Sequence, residues 1–189
     1  HDIGIYCINA ARYLFKGEPT EVLAISEGSA DRRFSEVPEM VAATLRFSDH
    51  RLAQFTCSFG AADSSVFSVF GTKGSVTLDR AYEYADDREL ILKIGDRTSK
   101  RKYVQRDQFA AELLYFSDCV NKGKTPEPSI KEGLADLAVI EALRESLESG
   151  KLVAVEKVRK KIWPTLRQTI SRPAIRRPET VRVTSPSGD

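Results

Sequence analysis

Apolar residues crowd the opening stretch DIGIYCINAARYLF: Ile3, Ile5, Cys7, Ile8, Ala10, Ala11, Leu14 and Phe15. At about 100° per residue, the polar positions Asp2, Tyr6, Asn9 and Tyr13 fall within about 60° of one another on a helix surface. The spacing predicts a helix reaching Phe15, greasy over most of its circumference and carrying one narrow polar stripe. Gly17 is placed to take a left-handed cap, and Pro19 forbids continuation. A stripe of carboxylate, phenol and amide is either a satisfied hydrogen-bond seam or the wall of a site.

The period then changes from helical to alternating. TEVLAIS reads as a strand, and MVAATLRFSDHRLAQFTCSFG reads as a hairpin turning at Asp49–Arg51, with His50 exposed at its tip. Val41, Ala43, Leu45 and Phe47 share one face with Ala53, Phe55, Cys57 and Phe59. The opposite face, with Ala42, Thr44, Leu52, Gln54, Thr56 and Ser58, carries only Arg46 as a charge, which is unusual for a fully solvated sheet. SVFSVFG, GSVTLDRAYEY, ELILKIG and SKRKYVQ add strands separated by Gly or Asp turns. GTKGS joins two strands with no helix after it, so it is a turn and not a phosphate loop.

Two helices follow. Residues 106–122 carry Phe109, Leu113, Phe116 and Val120 at three-to-four spacing. Residues 130–149 follow a capping-box pattern at Ser129 and Glu132, are expected to bury Leu134, Leu137, Ala138, Ile140, Ala142, Leu143 and Leu147, and end at Gly150. KLVAV closes as a short strand. Consecutive strands bracketed by helices give an α+β class: an open, mostly antiparallel sheet with helices packed on one face.

Composition narrows the classes. The chain has 189 residues, 41% hydrophobic and 30% charged, with no apolar run near the ~20 residues of a membrane helix. Three cysteines without metal-ligand spacing favour reduced thiols, and therefore a cytoplasmic setting, with the periplasm left open. No His/Cys cluster suits a metal. The net charge of +2 conceals a basic, proline-bearing segment at residues 156–189 and a mildly acidic body at residues 1–155. That division gives one α+β domain and a tail expected to lie across a neighbour or to be disordered near its end. With a single tryptophan and no reading module, the tail argues weakly for nucleic acid.

Four stretches, DIGIYCINAARYLF, GTKGSVTLDRAYEY, DQFAAELLYFSDCVNKGKTPEPS and EGLADLAVIEALRESLESGKLVAV, occur in an order and spacing that resembles the C-terminal domain of the Gfo/Idh/MocA oxidoreductases. Within that family the resemblance is to the glucose–fructose oxidoreductase branch. It covers residues 2–155. It implies a nucleotide-binding Rossmann domain preceding this chain, NAD or NADP as cofactor, and a sugar- or polyol-like substrate. It further implies a homodimer or homotetramer formed through the open sheet face. In the family's D-x-G-x-H/Y helix, the aspartate falls on Asp2 and the aromatic on Tyr6. Tyr6 is then the expected proton-transfer residue, with Asp2 beside it, and Asn9 and Arg12 are expected substrate contacts. A free phenol titrates near ~10, so it needs a nearby cation to act as a base. The resemblance assigns that role to a lysine of the nucleotide domain. The isolated chain is therefore expected to be inactive. The rival expectation is a dimerisation or scaffold module that keeps the fold without the chemistry.

Overall fold

The computed structural model describes residues 2–29, 31–160 and 163–174. These form two compact units, one built from the described residues up to Ala61 and between Glu127 and Pro164, the other from Ala62–Pro126 and residues 165–174.

The first unit begins with helix α1 (Gly4–Phe15), followed by strands β1 (Pro19–Glu27), β2 (Met40–Phe47) and β3 (Leu52–Ser58). Its sheet, in the order β3-β2-β1-β8, is completed by the short β8 (Val153–Ala154), and every pair is antiparallel. The register sets Leu45 opposite both Val22 and Ala53, and Ala43 opposite Ala24 and Phe55. Since side chains alternate across a pleat, this puts the apolar positions of three strands on one face, as their alternation predicts. Helix α3 (Ile130–Ser149) covers that face together with α1. The core is Ile8 and Ala11 from α1, Val22 and Ala24, Ala43, Leu45 and Phe47, then Val139, Ile140, Ala142 and Leu143 from α3, with Val153.

The other face of this sheet is open. Ile25 is 67% exposed, and Leu23 and Leu52 are also exposed. A shallow groove of about 430 Å³ runs over Leu23, Ile25, Thr44, Gln54 and Thr56. The second face read from the alternation is present, with the Arg46–Glu21 ion pair as its charged patch.

The second unit is a meander of β4 (Phe67–Gly71), β5 (Gly74–Asp79), β6 (Arg88–Ile94) and β7 (Arg97–Tyr103), in that order and all antiparallel. Gly71 pairs with Gly74 across Thr72 and Lys73, so GTKGS is a two-residue hairpin turn. Gly74 is required by close approach, because a Cβ there would lie 1.9 Å from the Lys93 carbonyl oxygen. Helix α2 (Gln108–Asn121) is capped by Asp107, whose carboxylate accepts from the Ala110 N–H at 2.9 Å.

The antiparallel α+β class holds, with the strands divided between two four-stranded sheets instead of forming one. Other details differ from the sequence pattern. The left-handed position after α1 is taken by Lys16 (φ 51°), not Gly17, and both N–H groups reach the Arg12 carbonyl. Ser129 does cap α3 by backbone geometry but makes no side-chain cap bond, and the Glu132 carboxylate pairs with Arg12 and Lys160 instead of reaching back to it. The buried side of α3 runs through Glu132, Ala135, Val139, Ala142, Leu143 and Ser146, while Leu134 and Leu137 are exposed. On α2 the Phe109, Leu113, Phe116 and Val120 stripe is exposed, with Leu113 at 71%. Periodicity located these helices; it did not decide which face met the core. Of the basic tail, residues 161–162 and 175–189 lie outside the described residues, and with them the reading of its far end.

Candidate functional site

Helix α1 is where the sequence places its chemistry, and its setting follows from its two sides. Ile8 and Ala11 enter the core, and Gly4 lies close to Phe55 and Cys57 of β3. Asp2, Tyr6, Asn9 and Tyr13 are all exposed, so the polar stripe faces away from the core along its whole length. Tyr6 is 54% exposed. Asp2 precedes the first helical residue, one turn before Tyr6, and the Tyr6 N–H donates to the Ile3 carbonyl at 3.2 Å. Asp2 and Tyr6 thus share one outward surface at the N-terminal end of α1.

Arg12, expected as a substrate contact, lies about 60–120° around the helix from the residues of that stripe and is buried within the protein. Its side chain is 3% exposed and meets three carboxylates. Nε donates to Glu18 Oε2 at 2.6 Å, and Nη2 donates to Glu18 Oε1 at 2.9 Å and to Glu132 Oε2 at 2.7 Å. Nη1 donates to Asp136 Oδ1. The Asn9 amide donates to the other oxygen of Asp136 at 2.8 Å, so Asn9 links the exposed stripe to the buried web. The guanidinium is thus engaged by three carboxylates; burial without these partners would leave an uncompensated charge.

Electrostatics within the web follow from burial and pairing. Burial pushes the Glu18 carboxyl up, but hydrogen bonds and charge from Arg12 and Lys160 outweigh it, and the group lies below its ordinary value. For Asp136 burial dominates over Arg12 and Asn9, and its carboxyl is raised. Burial also opposes the charge on Arg12, yet its three carboxylates raise its pKa further. The C-terminal end of α1 is held as well: Arg51 Nη2 donates to the Phe15 carbonyl at 2.7 Å, with its guanidinium 4.6 Å from the Phe15 ring centroid.

Glu18, Asp136 and Lys160 were not singled out from the sequence, and Glu132 was read only as a capping residue. The available signal was Arg12 itself, a charge set among apolar neighbours and off the polar stripe, which demands buried partners. Among the described residues no group of His, Cys, Asp and Glu could hold a metal, and all three cysteines are free. No helix among them is long and apolar enough to cross a membrane.

Residues 1–155 match the model of an oxidoreductase family's C-terminal alpha/beta domain, that of the Gfo/Idh/MocA proteins. The chain belongs to the Gfo/Idh/MocA oxidoreductase family. It is similar to the NADP-dependent D-xylose 1-dehydrogenase of Haloarcula marismortui, at 33% identity over 156 residues, covering 82% of this chain and 43% of that protein. Human trans-1,2-dihydrobenzene-1,2-diol dehydrogenase is 27% identical over 157 residues, 77% of this chain and 45% of the other. The crystal structure of aldose–aldose oxidoreductase from Caulobacter crescentus, complexed with glycerol, superposes with a TM-score of 0.74 at 32% identity. It covers 82% of this chain and 46% of that one. This Gfo/Idh/MocA chain therefore spans less than half the length of these relatives.

Proposed function

We propose that this chain is the substrate-binding and assembly part of an NAD(P)-dependent oxidoreductase that acts on a hydroxyl-bearing carbon of a sugar or polyol. The observation that carries this reading is the outward pairing of Asp2 and Tyr6 on a helix whose opposite side is clamped into the core. Family membership, and relatives named for xylose, aldoses and a vicinal diol, supply the substrate class.

The nucleotide is held elsewhere in the full-length protein. Every strand pair among the described residues is antiparallel, so none of them forms the parallel strand–helix–strand unit that cradles a dinucleotide. The bound nicotinamide would supply the hydride acceptor. The part left to α1 is the proton. The Tyr6 phenolic oxygen takes it from the substrate hydroxyl, and the Asp2 carboxylate accepts a hydrogen bond from a neighbouring hydroxyl, orienting the sugar. Asn9 supports the stripe from below. Arg12 is committed to its carboxylates, so the cation that makes the phenol a base comes from outside α1.

The domain occupies residues 1–155, with 156–189 a separate basic segment. The open face of β1, β2 and β3 serves as the surface for a homodimer or homotetramer. The 189-residue chain by itself is expected to show no turnover, and a cytoplasmic setting fits its free thiols. The test is Tyr6→Phe in the full-length protein, with D-xylose or D-glucose and NADP⁺ or NAD⁺, reading nicotinamide absorbance. Turnover should fall by about 10²–10⁴-fold. Undiminished turnover would refute the role. A wild-type protein that forms the oligomer but turns over none of the aldoses would favour the scaffold instead.

A further inference from the structure

The family match ends at residue 155, yet the buried web of the first unit draws one of its charges from beyond that point. Lys160 Nζ lies 2.5 Å from Glu18 Oε1 and 2.6 Å from Glu132 Oε1, with its side chain only 2% exposed. Those two carboxylates are also held by Arg12. Glu18 and Glu132 are therefore each shared between a cation on α1 and a cation on the segment after β8. The same ammonium sits 3.6 Å from the centroid of the Trp163 ring, a cation–π contact.

The charge balance makes Lys160 necessary. Arg12 alone would face Glu18, Glu132 and Asp136, leaving two negative charges in excess in a mostly buried site; with Lys160 the excess is one. Like charges left together at low dielectric repel and draw in water. Opening the web would free the side of α1 that is fixed by Arg12 and, through Asp136, by Asn9. The Tyr6 hydroxyl rides on the same rigid helix, about 9 Å of helical rise from Arg12.

We propose that the segment carrying Lys160 and Trp163 is a strap whose ammonium completes the Arg12–Glu18–Glu132–Asp136 web, making Lys160 a positioning residue for Asp2 and Tyr6. The inference rests on the reading of Tyr6 given above. It extends the functional part of the chain past residue 155, into the segment that the sequence pattern sets apart as a tail.

The chain contains a single tryptophan, so Trp163 reports on the strap directly. In the full-length protein, Lys160→Gln should red-shift the Trp163 emission, taken as the difference from a Trp163→Phe background. It should lower kcat by about tenfold with little change in KM, and Lys160→Arg should restore both. Trp163→Leu keeps every charge in the web and removes only the cation–π contact, so its kcat should fall less than in Lys160→Gln; Lys160→Met, which removes the same charge, provides the comparison if Lys160→Gln fails to fold. Unchanged emission in Lys160→Gln would overturn the strap. Shifted emission with undiminished kcat, while Tyr6→Phe is inactive, would overturn the positioning role and leave the site reading intact. An active Tyr6→Phe would overturn the site reading, whatever Trp163 does.

Discussion

The sheets β3-β2-β1-β8 and β4-β5-β6-β7 have the same number of strands and the same antiparallel pairing, but they are buried very differently. In the first, Val22 and Leu45 are completely buried beneath α1 and α3. In the second, Val76, Leu78, Leu90 and Leu92 are only half-buried, and β7 is exposed along its entire length. Among the described residues, every buried apolar side chain except Cys119 belongs to the first unit. A meander completes its hydrogen bonds between neighbours in sequence. A dry core needs a second layer, and here that layer arrives from more than 70 residues away, when α3 returns to cover β1 and β2. The helix that carries the candidate site belongs to the better-buried unit, where a side chain can be held to the tolerance chemistry requires.

This contrast can be broken most sharply at Arg12. Arg12→Met leaves Glu18, Glu132 and Asp136 without their shared cation, and removing one partner of a buried ion pair costs about 3–5 kcal/mol. Urea denaturation should show that loss, and Lys102→Met on β7 should lie within about 0.5 kcal/mol of wild type.

Leu45→Ala and Leu78→Ala make the comparison with one chemistry. Leu45 is 0% exposed, so the cost should be about 3 kcal/mol. Half-buried Leu78 should cost about 1 kcal/mol. Equal losses would mean that the second sheet is as well packed as the first. Amide exchange checks the same point without mutation: Leu45 and Val22 should exchange near the global limit and Leu90 well before it.

Ser146 tests a smaller feature of the first unit. Its buried hydroxyl accepts from the Ala24 N–H at 2.9 Å and donates to the Lys151 carbonyl at 2.7 Å. Ser146→Ala orphans that N–H and should cost about 1–2 kcal/mol by the same denaturation measurement.

The smallest effect is the pH response of the web. Glu18, held below its ordinary value of 4.5 by Arg12 and Lys160 in spite of burial, contributes stability above that pH and loses it as the pH falls. Asp136, raised by burial against Arg12 and Asn9, with Glu132 adding to the rise, works the other way. It takes up its proton more readily when folded, so it adds stability as the pH falls towards 3.8. Denaturation midpoints between about pH 3 and pH 6 should therefore fall less steeply in Glu18→Gln than in wild type. They should fall more steeply in Asp136→Asn.

The alternation of Val41 through Phe59, the helical spacing of residues 2–15 and the Gly150 stop determined the strands, the first helix, the end of α3 and the outward stripe. These are local properties: a pleat of period two or a turn of 3.6 residues sorts side chains wherever the segment finally lies. The outward placement of Asp2 and Tyr6 was legible for that reason. The fate of Arg12, the failure of Ser129 and Glu132 to form a capping box, the turned face of α3 and the burial of Lys160 between two carboxylates were not. Each depends on residues that meet only when β1, α3 and the segment after β8 close around α1. A buried charge is defined by what surrounds it, because its energy depends on the partners and the dielectric that the folded chain brings to it. Of the partners of Arg12, Glu18 is six residues away, but Glu132 and Asp136 are more than 100 residues distant in sequence and a hydrogen bond away in space.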